Sequence, residues 1–205
     1  MIRSHTGTAL QRLKQDQTGA TIVEFALITP ALMVTLMGLF DLAYNMYTNE
    51  MLNGAVQQAA RMSTIEGAAG RQEQIDSGVT AAVRAVAPGA AITYTRKAYA
   101  GFSDVNRPED WDDADNDGTC NNGEAFEDAN SNGTWDATAG IDGLGGARDA
   151  VLYSVTIDYP RFFPIFAFLP GQSETYSLTT DTVLRNQPYD EQRVNPNPPT
   201  GNCTE

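Results

Sequence analysis

The run from Ala20 to Phe40 limits what this chain can fold into more than any other feature. It holds 21 residues with one charge, Glu24, and one proline, Pro30. Wound as a helix it would be about 30 Å long, the thickness of bilayer hydrocarbon. The apolar core of a secretory signal is shorter, about 7–15 residues, and ends at a small-residue cleavage site. This run is longer and passes without a break into a further helical pattern, so it reads as a retained anchor. Pro30 suits that reading, since transmembrane helices tolerate proline better than soluble ones.

The flanks set the orientation. Arg3, Arg12 and Lys14 precede the run against Asp16, whereas Asp41 and Glu50 follow it with no base before Arg61. The basic side is expected to stay in the cytoplasm and everything after Phe40 to be exported. Cys120 and Cys203 would then occupy a compartment that permits a disulfide. Both lie in loop-like sequence, so pairing and two separate thiols stay open.

The net charge of −13 is concentrated. Thirteen acids and two arginines fall within 103–149, and the rest of the chain is nearly balanced. No basic face is left for nucleic acid. The insert reads as a cation site or a solvated acidic loop.

The expected organisation is a leader over 1–19, a transmembrane helix over 20–40, an exported helical region with a first strand over 41–102, the acidic insert over 103–149, C-terminal strands over 150–187 and a disordered tail over 188–205. Leu42, Met46, Leu52, Ala55, Val56, Ala59 and Ala60 recur at helical steps and extend the first helix to about Ile65. Ile75, Val79, Ala82, Val83 and Val86 share one face of a second helix that Pro88-Gly89 stops. Residues 91–100, 151–159 and 175–185 read as strands. Helices first and strands later give an α+β fold with a small antiparallel sheet. Phe162, Phe163, Phe166 and Phe168 read as a core plug against the long helix, with a surface resting on a membrane or partner as the alternative.

Glu24 admits two readings. It can reach the headgroups from near the cytoplasmic face at modest cost. Alternatively the chain is cut after Gly19, and the new amine of Ala20 lies one helical turn from Glu24. A neighbouring subunit's amine would then compensate a carboxylate in low dielectric. Gly19-Ala20-Thr21-Ile22-Val23-Glu24-Phe25-Ala26-Leu27-Ile28-Thr29-Pro30 resembles the processing region of the TadE/TadG-like pseudopilins of tight-adherence (Flp) pili. Ala59-Ala60-Arg61-Met62 resembles that family's segment after the anchor, and Thr179–Pro188 its closing strand. The resemblance implies a minor pilin-like subunit matured by a prepilin peptidase. Its implied partners are other pilin or pseudopilin subunits, the assembly platform and the membrane.

The insert carries chemistry of its own. Asp113, Asp115, Asp117, Gly118 and Glu124 occupy positions 1, 3, 5, 6 and 12 of an EF-hand loop, and Thr119 would add a carbonyl. Hard calcium takes six to eight oxygens, which alternate carboxylates on one tight turn can supply. A second copy follows at Asp128, Asn130, Asn132, Gly133 and Asp136, with Ala139 where the closing acid belongs. Asp136 or a neighbour such as Asp142 is expected to complete it, with Trp135 and Phe126 as cover. Two calcium ions are the expected cofactors.

No catalytic constellation accompanies these motifs. His5, the one histidine, lies in the leader, so a non-enzymatic role is expected. A membrane-tethered calcium-dependent adhesion module and a generic anchored periplasmic protein are the competing readings.

Overall fold

The computed structural model describes residues 18–64, 68–187 and 197–204. The leader through residue 17, and residues 188–196 of the tail, lie outside the described residues. The elements are α1 (Thr18–Ser63), α2 (Gln72–Val86), β1 (Ala91–Tyr99), β2 (Ala125–Glu127), β3 (Ile141–Asp142), β4 (Ala150–Pro160), β5 (Thr175–Arg185) and β6 (Thr200–Asn202). Helices lead and antiparallel strands follow, an α+β fold. Two compact units divide the chain: residues up to Asn45 with Arg161–Glu174, and Met46–Pro160 with Thr175–Glu205.

In the first unit the apolar half of α1 stands uncovered. Ile22, Val23, Phe25, Leu27, Ile28, Leu39 and Phe40 are each more than half exposed. From Thr21 onward the helix is long and apolar enough to cross a membrane. The hydroxyls of Thr29 and Thr35 donate to the carbonyls of Phe25 and Ala31, so α1 satisfies these polar groups internally. Burial begins at Asp41 and Asn45, where the Asn45 amide donates to Asp41 Oδ2 at 3.0 Å. Arg161 forms a buried ion pair with Asp41. It also donates to the Ser173 carbonyl at 3.0 Å and to Gln172 Oε1 at 3.3 Å, and its amide bonds the Glu174 carbonyl. The segment Arg161–Glu174 is thereby closed on itself and clamped to α1.

The phenylalanine segment differs from the expected core plug. Phe162 is 72% exposed, Phe168 57% and Leu169 43%, and only Ile165 of this stretch is buried. Pro164 and Pro170 flank a single 3₁₀ turn, Ile165–Ala167, so the rings ride a loop that meets one helix. One helix stripe covers a ring or two, not four. Phe163 stacks on Phe40 at 6.0 Å and Phe162 tilts against Tyr44 at 6.1 Å.

In the second unit a four-stranded antiparallel sheet runs in the order β3-β1-β4-β5. Val151, Tyr153, Val155, Ile157 and Tyr159 of β4 form one buried face. Cross-strand partners share a face, so Tyr94 opposite Val155, Arg96 opposite Tyr153 and Thr180 opposite Val155 lie on it too. Both helices are tied to this face. Asn53 of α1 accepts from Thr180 at 3.0 Å, and Asp76 of α2 receives Arg96 and the Tyr153 hydroxyl. Arg96 also lies 4.4 Å over the Tyr153 ring. Leu52 and Val56 of α1, and Ile75, Val79 and Val83 of α2, are buried. The opposite face is polar along Thr93, Thr95, Thr179 and Asp181, as expected of an antiparallel sheet covered on one side. At one end Tyr99, Ala150 and Leu152 bury on that outer face with Val105, which seats the acidic insert against the sheet.

Candidate functional site

The insert folds as two loops of one design. Loop one (113–124) and loop two (128–139) repeat at an offset of fifteen residues. Asp113 accepts the amides of Asp117 and Gly118, each at 3.1 Å; Asp128 accepts those of Asn132 at 3.0 Å and Gly133 at 2.8 Å. Asp115 and Asn130 accept the same amides of Asp117 and Asn132. Asp117 takes the Thr119 amide as Asn132 takes that of Thr134. Each loop passes through positive φ at the matching pairs Asn116/Gly118 and Ser131/Gly133. Short Asp and Asn side chains fold such turns because they bond the backbone two to five residues ahead. Asp113, Asp115 and Asp117 each offer a carboxylate oxygen within 4.8 Å of the others.

Glu124 closes loop one. Its buried carboxylate accepts Ala114 N at 2.7 Å and Asn121 N at 3.3 Å. Loop two has only the buried Ala139 at that position, yet the same bonds are made there. Glu109 accepts Ala129 N at 2.9 Å and Asp136 N at 3.0 Å, the counterparts of Ala114 and Asn121. Glu109 is 1% exposed, and its carbonyl accepts the Trp135 indole at 2.9 Å. It lies fifteen residues before Glu124, the loop offset itself, and that spacing is the signal a search for a downstream acid passes over. Asp136 does join loop two, accepting the side-chain amides of Asn130 and Asn132. Asp142 does not; it lies in β3 opposite Lys97.

Burial pushes the Glu109 carboxyl above the ordinary glutamate range, the amides of Asp136 and Ala129 pull it back, and the Asp136 and Asp128 charges raise it further. Such a group favours protonation or a cation beside it.

The C-terminus ties the loops together. Residues 197–204 are not the free tail expected of them: β6 pairs antiparallel with β2, and Cys203 is disulfide-bonded to Cys120 of loop one. Cys203 N donates to the Glu124 carbonyl at 2.7 Å and Asp128 N to that of Pro199 at 2.9 Å, so the strand touches the end of one loop and the start of the next. Local composition could not announce this strand, because its partner lies some 75 residues earlier, Phe126 against Gly201. Phe126 is buried; Trp111 and Trp135 meet edge to face at 5.3 Å.

The residues read as a processing signal lie near the start of α1. Gly19 and Glu24 are exposed on α1, and a Cβ at Gly19 would meet nothing within 4 Å. Ala20 is in the same helix, four residues before Glu24, so the two stand on neighbouring turns.

Residues 19–61 match the family described as TadE-like protein. Over these residues the chain is similar to that family. The match takes in Gly19, Ala20, Glu24 and the Ala59-Ala60-Arg61 segment, and leaves the acidic insert and Thr179–Pro188 outside. Comparison with curated proteins and with solved structures gives no match. The matched residues comprise most of α1, including the buried residues Leu52 and Val56.

Proposed function

We propose that this protein is a membrane-anchored minor pilin-like subunit serving the assembly of tight-adherence (Flp-type) pili. The observation that carries the reading is the TadE-like match over the same helix that is uncovered, apolar and long enough to span a bilayer. Its partners would be other pilin-like subunits and the assembly platform. The leader would stay cytoplasmic, and the domain after Phe40 would face the periplasm. A prepilin peptidase would cut after Gly19, freeing the Ala20 amine. Glu24, exposed one turn on, would pair with the amine of a neighbour during docking. Among the described residues nothing lies within 4 Å of a Cβ built on Gly19, so the fold there does not itself call for glycine. The role is assembly and not catalysis. Deleting the gene in a piliated cell should abolish pili, and restoring it with Glu24→Ala should not rescue them; normal piliation of the deletion strain would refute the role.

The same reading gives the exported domain a pair of calcium sites. The donor set fits a hard cation: Asp113, Asp115, Asp117, Thr119 and Glu124 in loop one, and Asp128, Asn130, Asn132, Asp136 and Glu109 in loop two. What supports it is the shared loop design and the two buried glutamates placed alike. Bound calcium would offset the mutual repulsion of these acids and hold the insert rigid.

A further inference from the structure

The loop between β4 and β5 carries apolar surface that the fold leaves uncovered. From Phe162 to Gly171 it has no charged residue, and Phe162, Phe168 and Leu169 face outward. Exposed rings gathered on one loop ask for an occupant. Position supplies it. Phe40 is the last residue of the apolar run, and the Phe163 ring stacks on it. The next polar group along α1, Asp41, is neutralised by Arg161, the residue that opens the loop. The clamp thus fixes the rings at the level where α1 leaves its apolar stretch, the boundary layer into which interfacial segments bury Trp, Phe and Leu side chains. It also takes the nearest acid and base out of play, so neither draws the loop toward water.

We propose that the Phe162–Pro170 segment is a second membrane contact, a ring-bearing loop lying in the interfacial layer of the lipid that α1 crosses. The inference rests on the membrane-anchored reading and commits to lipid, because the exposed rings continue the apolar surface of the span itself. It limits the depth of the anchor, since sliding α1 toward water would lift the rings out of the lipid.

The test uses the full chain in vesicles of phosphatidylcholine and phosphatidylglycerol. Cys120 and Cys203 are bonded to each other, so single nitroxide labels can be placed at Phe168→Cys, Leu36→Cys and Asp181→Cys. Leu169→Cys serves as a second probe should the first disturb the loop. Each label is scored by its relative accessibility to oxygen, which enters lipid, and to a water-soluble nickel chelate. The expected result is that residue 168 sides with residue 36, favouring oxygen, while residue 181 favours nickel. A water-like value at 168 with a lipid-like value at 36 overturns the loop contact and leaves the anchor standing. A water-like value at 36 overturns the anchor and the proposal with it. Spin broadening at 168 that vanishes on dilution with unlabelled chain, with protection from both reagents, would assign the rings to a second copy and overturn the lipid contact.

Discussion

Glu109 concentrates the chemistry of the insert in one side chain. It is buried beside Asp136 and Asp128 and held by two backbone amides. Glu109→Gln keeps the shape but removes the charge and turns one amide's acceptor into a donor. Calorimetric titration of the full chain with calcium should lose one of two binding steps, while the Glu124 loop still binds; unchanged binding would remove Glu109 from the site. The same carboxyl gives a pH signature. Its value in the folded chain is raised, so without calcium its contribution is fully present below the unfolded glutamate value and is lost as pH rises through the raised one. In chelator, the urea midpoint of the wild type should fall relative to that of Glu109→Gln over this window. Calcium needs the ionised form, so its affinity should fall as pH falls through the same window. A midpoint difference that ignores pH would contradict the assignment. The turn of loop one was legible because its acids, Asp113 to Glu124, all lie within one twelve-residue pattern. Glu109 was not, because the carboxylate that bonds the loop-two amides lies upstream of that loop.

Among the elements, periodicity revealed those that bury a face. Of the stripe read along α1, Leu52, Val56, Ala59 and Ala60 are buried whereas Leu42 and Met46 are more than half exposed; Ile75, Val79 and Val83 are the buried side of α2. The alternation of β5 set its ends at Thr175 and Arg185. β6 gave no such signal, since three residues on a proline-rich tail bury almost nothing of their own. It is held by its partners, and Gly201 shows how closely. A Cβ there would strike the ring of Phe126, which lies opposite it in the β2–β6 pair and is fully buried. Gly201→Ala should destabilise this ladder by about 1–3 kcal/mol, the cost of overpacking a tight contact. Amide exchange should speed up at Phe126 and Cys203 while β4 stays protected. Unchanged exchange would show that the ring has room to move. The phenylalanine loop misled for the opposite reason: composition reported apolarity but not that two prolines and a 3₁₀ turn leave its rings with one helix to lean on.

For the molecule as a whole, the sequence announced an apolar helix of spanning length and an α+β fold, because a 21-residue apolar run and helix-then-strand order are global patterns. How the insert is stapled to the C-terminus was not legible, since it depends on pairing across 83 residues between Cys120 and Cys203. Gly19–Glu24, proposed as a maturation and docking signal, sets what the span does beyond anchoring. The most direct measurement is the intact mass of the protein extracted from membranes of cells with and without their prepilin peptidase. Cells with the peptidase should yield a chain beginning at Ala20, and cells without it an uncut chain. A full-length mass in peptidase-positive, piliated cells would contradict that maturation.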